Sequence, residues 1–109
     1  NELAAFVKRV VESVEIHDQY KQGARVTWDI INLYVICQHF VMPLTEKFKC
    51  SFVELVALEE QVPAFFVSHW WGTPFQHTVK LLAFHAKERG FPDSTFYWIC
   101  TFANNQHNL

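Results

Sequence analysis

The sequence lacks a long hydrophobic run: its longest apolar-rich stretch, Ile30 to Met42, is interrupted by polar side chains. A bilayer span needs roughly 20 consecutive apolar residues, so this stretch predicts a buried helix of a soluble protein with no transmembrane segment. The chain also lacks an excess of one charge, because nine Lys and Arg stand against 11 Asp and Glu and are scattered along it. This distribution argues against nucleic acid as a partner.

Cysteine is scarce: Cys37, Cys50 and Cys100 are odd in number, widely spaced and set among apolar residues. This pattern predicts reduced, buried thiols without a disulfide and favours a reducing compartment. The chain opens at Asn1 without a basic region and an apolar run, so any targeting peptide is expected outside this sequence. The sequence alone does not define the localisation, and an organelle is among the compartments that fit.

Large apolar side chains are abundant. Half of the 109 residues are hydrophobic and aromatics make up 17% of the chain, with 11 Phe and 4 Trp. A core of real size can therefore form. The aromatic surplus exceeds what so short a chain is expected to bury, which predicts packing against a protein partner or against a further part of a longer polypeptide.

The first part of the chain, residues 1–62, has a helical pattern. Apolar residues recur at helical spacing from Leu3 to Ile16, and the polar stretch from His17 to Gly23 predicts a turn. Thr27 is the predicted N-cap of a second, central helix that runs to about Val41 and is ended by Pro43.

A third short helix is predicted from Phe52 to Leu58. Ser51 and Glu54 have the spacing of a capping box, in which each side chain accepts a hydrogen bond from the other residue's backbone N–H. Pro63 then closes the helical part.

The second part, residues 63–109, changes character. Ala64 to Val67 is an apolar run of strand length, and Thr95 to Phe102 predicts a strand buried on both faces. Between them, a helix is predicted from three signals at its start, namely Thr73 as N-cap, Pro74 at the first position and Gln76 of a capping box. Its predicted end lies at Gly90.

A strand, a helix and a second strand with short connections predict a right-handed parallel unit, so the fold class is α/β. We expect Ala64 to Val67 and Phe96 to Thr101 to be adjacent parallel strands. Two strands cannot cover their own edges and faces, which predicts an incomplete sheet from a longer polypeptide.

A polar cleft is predicted where the two strands end, because ligands of open α/β sheets bind at the carboxyl ends of strands, next to helix N-termini. The amides can bind a polar ligand and a Trp can stack on a ring, but the same residues also suit turn formation and packing. The residues of this predicted ligand or interaction cleft are Ser68, His69, Trp70, Trp71, Gly72, Thr73, Asn104, Asn105 and Gln106.

The sequence contains no clear pattern of catalytic or metal-binding residues. His69 and its neighbour Ser68 point to opposite faces of a strand, and no orienting carboxylate can be assigned. His77 and His85 are eight residues apart, which is not the spacing of a zinc-binding helix. Cys100 is expected in a buried strand with a raised pKa and low reactivity. The sequence therefore predicts no catalytic residues, no metal and no cofactor.

Two segments carry a resemblance, FFVSHWWG from Phe65 to Gly72 and YWICTFANNQ from Tyr97 to Gln106. They resemble a family of dinoflagellate-type algal proteins with VSHWWG and YWVC…ANNQ segments. More distantly, residues 64–106 are similar to Toll/interleukin-1-receptor-like and heterokaryon-incompatibility-like domains. The algal resemblance implies an organellar, conceivably photosynthetic, assembly as the host.

The distant resemblance implies an α/β domain, and some of its members cleave NAD with a glutamate on a later helix. That glutamate matches no residue of this chain, and Asn104 and Asn105 occupy a position that is often Asp in those domains. Only Ser68, His69 and Trp70 carry over as cleft residues. Two hypotheses stay open: a non-catalytic scaffold or accessory unit that binds protein partners, and part of a nucleotide or NAD hydrolase whose catalytic half lies elsewhere.

Overall fold

A computed structural model describes residues 2–18, 24–92 and 95–108, and it shows a fold of mixed helix and strand. The elements are α1 (Glu2–Ser13), β1 (Ile16–Asp18), β2 (Ala24–Val26), α2 (Leu33–Ile36), a π-helical turn (Cys37–Val41), α3 (Met42–Thr45), α4 (Phe52–Val56), β3 (Phe65–Phe66), α5 (Phe75–Arg89), β4 (Tyr97–Trp98) and α6 (Cys100–Ala103). Within the described residues, no helix has both the length and the apolar character to cross a bilayer.

The predicted first helix is confirmed as α1, which buries Val7 and Val11 in the core. A turn is predicted to begin at His17, and this prediction is wrong. His17 belongs to β1, which pairs with β2 in an antiparallel register that places His17 opposite Arg25. The rest of that predicted turn, residues 19–23, lies outside the described residues. Ile16 ends up in β1, where it is buried, so its apolar side chain serves a strand rather than the helix.

The central helix of the fold comprises α2, the π-helical turn and α3, residues 33–45. Its N-cap is Asn32, whose side-chain oxygen accepts a hydrogen bond from the Val35 N–H at 3.1 Å. The prediction of Thr27 as the cap is therefore wrong. The carbonyl of Thr27 instead accepts from the N–H groups of Ile30 and Ile31, closing a turn before the helix.

Pro43 does not end the central helix, contrary to the prediction. A proline inside an α-helix removes a hydrogen bond and clashes with the carbonyl four residues before it. The preceding π-helical turn has the wider i→i+5 pattern, in which the Met42 N–H bonds to the Cys37 carbonyl. This wider turn accommodates Pro43 at the start of α3, and the helix continues to Thr45.

The capping box before α4 is confirmed. Ser51 Oγ accepts from the Glu54 N–H at 3.1 Å, and Glu54 Oε2 accepts from the Ser51 N–H at 3.2 Å. The helix ends at Val56, two residues earlier than expected.

The predicted adjacent, parallel pairing of the two strand segments is confirmed, with Phe65 opposite Tyr97 and Phe66 opposite Trp98. Both strands are shorter than expected. The second does not run to Phe102, because the Ile99 carbonyl accepts from the N–H groups of Phe102 and Ala103 and so begins the helix α6. Burial on both faces is also wrong for β4, since Trp98 is only half-buried.

The long helix α5 starts differently from the prediction and ends as predicted. Its N-cap is Pro74, no side-chain cap is formed, and Gln76 donates to Asp29 of the first half at 3.4–3.5 Å instead of completing a capping box. At its end Gly90 has φ +68°, a left-handed conformation that glycine adopts without strain. The Phe91 N–H bonds to the Ala86 carbonyl, as in a Schellman motif.

One core joins both parts of the chain. Ile31, Leu33 and Ile36 of the first part are fully buried in it, and Phe75 and Phe102 of the second part belong to the same cluster. The predicted division at residues 62 and 63 therefore does not separate two cores. Residues 1–62 also contain the antiparallel pair β1–β2, so they are not helical throughout.

Candidate functional site

The loop between β3 and α5, residues 67–74, carries the first group of predicted site residues. Its backbone is fastened to the start of the central helix, because the Leu33 N–H donates to the Trp71 carbonyl at 3.0 Å. The rings of Trp71 and Tyr34 lie 5.5 Å apart. Trp70 is 70% exposed, and its ring covers Gly72, where any side chain would collide with it.

His69 lies in this loop without a catalytic partner. Its Nδ1 is 3.4 Å from the Val67 carbonyl, a contact that requires the hydrogen to be on Nδ1. The other ring nitrogen, Nε2, is buried and has no hydrogen-bond partner among the described residues. No carboxylate of the described part of the chain orients this ring, so His69 has no means of acting as a relayed general base.

The start of α5 offers few free backbone N–H groups. The Phe75 N–H donates to the Ile31 carbonyl at 2.6 Å, and the His77 N–H donates to the Pro74 carbonyl at 3.0 Å. The Thr73 N–H donates to the Trp70 carbonyl. Pro74 itself has no N–H. These bonds remove most of the donors by which a helix N-terminus binds an anion.

The second group of predicted site residues follows α6, and its amides bond within the protein. Asn104 Nδ2 donates to Cys100 Sγ at 3.2 Å, and Gln106 Nε2 donates to the Cys100 carbonyl at 3.0 Å. Asn105 Nδ2 donates to the Lys49 carbonyl at 2.6 Å. Gln106 therefore caps a carbonyl of α6, Asn104 bonds to the Cys100 side chain, and Asn105 attaches this segment to the turn after the central helix.

Among the described residues, no hydrogen bond joins the loop group to the amide group. The loop is anchored at Leu33 and Tyr34, and the amides are anchored just beyond Thr45, at Lys49. Twelve residue steps at ~1.5 Å each separate Leu33 from Thr45 by about 18 Å. The two predicted groups are thus attached to opposite ends of the central helix.

A polar cluster that the sequence did not reveal, buried at Thr45 and His107 and exposed at Glu46, joins the C-terminal segment to the end of the central helix. His107 Nε2 lies 2.8 Å from Thr45 Oγ1, and His107 Nδ1 lies 3.5 Å from Glu46 Oε2. The Thr45 hydroxyl donates its only hydrogen to the Val41 carbonyl at 2.6 Å. It must therefore accept from His107, which places a hydrogen on Nε2. These partners are 61 and 62 positions apart, so no local motif could have indicated them.

This cluster has the hydroxyl, imidazole and carboxylate of a hydrolase triad, but its geometry is that of a clamp. Thr45 is fully buried, and the proton that a base would remove points to Val41 instead of to His107. The hydrogen bond and the charge of Lys49, with a smaller effect of His107, lower the pKa of Glu46, so its carboxylate is ionised at neutral pH. The cluster holds the C-terminal segment against α3.

The three cysteines are free thiols. Cys100 lies at the start of α6, not inside a strand as predicted. Burial, and secondarily the nearby Cys100, raises the pKa of Cys37, so its thiol is protonated at neutral pH and is a poor nucleophile. Two of the thiols thus lie on neighbouring elements, the π-helical turn and α6.

The described residues contain no group of three or more His, Cys, Asp or Glu side chains with the arrangement of a metal site. Comparison with family models, with curated proteins and with solved structures finds no match to this chain.

Proposed function

We propose that this chain is a non-catalytic structural or accessory unit that binds other proteins as part of a larger protein or assembly. The observation that carries the proposal is the chain's surface area. A folded monomer of 12.8 kDa exposes about 6,300 Å², whereas this chain exposes 7411 Å². The excess of about 1,100 Å² is larger than the roughly 800 Å² that one partner buries in a standard protein interface.

Large apolar side chains supply much of this surface. Several of them are more than 60% exposed, and the burial of apolar surface is the main favourable contribution to most protein association. The residues in this class are Phe48, Leu58, Val62, Phe66, Trp70, Leu81 and Phe84. Aromatic side chains of this kind are enriched in protein interfaces.

We further propose that β3, α5 and β4 form a right-handed strand-helix-strand unit of a larger parallel sheet. The support is the parallel register of β3 and β4 with a 15-residue helix between them in sequence. Strands of two residues have little stability by themselves. Additional strands along the outer edge of β4 would extend and stabilise the pair.

The absence of a catalytic arrangement at the predicted cleft also favours a binding role. His69 lacks an orienting carboxylate among the described residues, and the amides of Asn104, Asn105 and Gln106 donate to Cys100 and Lys49 within the protein. These contacts support a cluster that is satisfied without a ligand.

We expect no binding of NAD or ATP when either is titrated calorimetrically into the protein at micromolar concentration. No Lys or Arg lies between Lys49 and Lys80, and most donors at the start of α5 are occupied. The helix dipole alone favours an anion at an exposed terminus by only about 0.3 to 1 kcal/mol.

Saturable heat with either nucleotide would favour the nucleotide-hydrolase hypothesis instead. A Trp70→Ala variant would then report whether the ligand is bound at the loop, because a base stacked on that ring would lose affinity. A matched Phe48→Ala variant removes an aromatic residue of similar exposure that is distant in sequence from the loop, and it serves as the control.

A further inference from the structure

The outer face of α5 carries four exposed residues in one stripe: His77, Leu81, Phe84 and Glu88. Their spacing of four, three and four residues places them along the same side of an α-helix. Leu81 is 67% exposed and Phe84 is 61% exposed. We call these four residues the α5 stripe. Its apolar centre and polar ends have the composition of a helix-packing surface.

A groove of about 530 Å³ continues the stripe toward β3. Leu81 and Phe84 line it on one side, and Phe66 and Ser68 line it on the other. The Val67 N–H donates to Trp98 of β4. Neighbouring residues of a strand direct their backbone groups to opposite sides, so the N–H and C=O of Phe66 point away from β4, to the open edge beside the groove.

The α5 stripe is complementary to itself in the antiparallel direction. When two copies of α5 are aligned antiparallel about the point between Leu82 and Ala83, His77 of one copy lies opposite Glu88 of the other. In the same register, Leu81 of each copy lies opposite Phe84 of the other. Apolar residues thus meet apolar residues at the centre, and the imidazole of His77 meets the carboxylate of Glu88 at both ends.

We propose that the chain forms a symmetric homodimer in which the α5 stripes of two copies pack antiparallel. The same two-fold axis brings the open edges of the two β3 strands together, so that the backbone groups of Phe66 gain partners. Helices that pack in this way lie 8–10 Å apart, and paired strands lie about 4.8 Å apart. When each α5 lies over its own strand pair, the two helices can reach this distance while the two β3 strands pair. This contact covers Phe66, Leu81 and Phe84 and leaves the remaining exposed apolar residues, such as Phe48 and Trp70, for the partners of the proposed function.

Sedimentation of the full chain over a range from micromolar to hundred-micromolar concentration tests the dimer. We expect a species of twice the 12.8 kDa mass. Leu81→Asp places two charges in the centre of the interface and should raise the dissociation constant at least ~100-fold. Leu58→Asp makes the same chemical change at a fully exposed leucine elsewhere and should leave the dissociation constant unchanged.

A charge exchange tests the register with substitutions confined to exposed residues. His77→Glu alone sets two carboxylates opposite each other at both ends and should weaken the dimer about 2- to 10-fold. The double variant His77→Glu/Glu88→Lys restores opposite charges and should return the dissociation constant to the wild-type value or below it. Circular dichroism establishes that each variant is folded.

Three results would overturn the proposal: a wild-type chain that stays monomeric throughout the range, a dimer that Leu81→Asp in its folded form leaves intact, or a charge exchange that binds no better than His77→Glu. A monomer that still binds other proteins would leave the proposed function in place. The experiment therefore distinguishes failure of the homodimer from failure of the proposed binding to other proteins.

Discussion

Replacing Ile36 by alanine is expected to lower the free energy of unfolding by about 2 to 5 kcal/mol, the range for deleting buried methyl groups from a core. Ile36 is fully buried on the central helix, where the two parts of the chain share one core. Small domains have only about 5 to 15 kcal/mol of stability in total. Urea unfolding followed by circular dichroism measures the change, which should appear as a lower midpoint.

Ile30→Ala is the matched control, since Ile30 is 46% exposed and precedes the central helix. The same deletion there should change stability by about 0.5 kcal/mol or less. Equal losses in the two variants would contradict the placement of the core around the inner face of the central helix.

Replacing Thr45 by valine is expected to cost about 1 to 3 kcal/mol, although the two side chains have nearly the same shape. Valine removes the hydroxyl that accepts from His107 Nε2 and donates to the Val41 carbonyl. The His107 side chain is only 6% exposed, so water cannot readily replace the lost partner. Thermal unfolding of the variant and the wild type gives the difference.

A double-mutant cycle with His107→Ala separates the clamp from a general effect of the substitution. Without the imidazole, the Thr45→Val change breaks only the bond to Val41, so it should cost less than it does in the wild type. If the two losses simply add, the hydrogen bond between Thr45 and His107 contributes nothing to stability and the clamp is refuted.

Local signals in the sequence predicted local structure well. The periodicity of α1, the capping box at Ser51 and the glycine that ends α5 all act within one or two turns of chain, and all three are found. The parallel pairing of β3 with β4 was also predicted, because a helix between two apolar runs restricts the connection to few arrangements.

The errors arose where a contact distant in sequence decided the local conformation. Gln76 could have completed a capping box, but its side chain reaches Asp29 instead. The apolar run at Cys100 has strand composition, yet its Phe102 ring packs 5.6 Å from Phe52 and 6.3 Å from Phe75, and the segment is helical. Propensity is a weak guide where tertiary contacts of this kind are made.

The predicted site shows the same limit. The sequence predicts that the residues of this site lie together because the ends of two parallel strands share an edge of the sheet. In the structure β4 ends two residues before α6, and α6 carries Asn104, Asn105 and Gln106 to the far end of the central helix. The exposed Trp70 stays at the loop and is available for contact with a partner.

Affinity capture of the tagged chain from its own cells tests whether the exposed apolar side chains bind other proteins. We expect a second protein in near-stoichiometric amount with the wild type, and its loss with Trp70→Ser or Phe48→Ser, which remove aromatic rings that are 70% and 64% exposed. The exposed Glu60→Gln variant leaves the apolar surface unchanged and should retain that protein. Recovery of no second protein, or equal recovery with all three variants, would contradict the account.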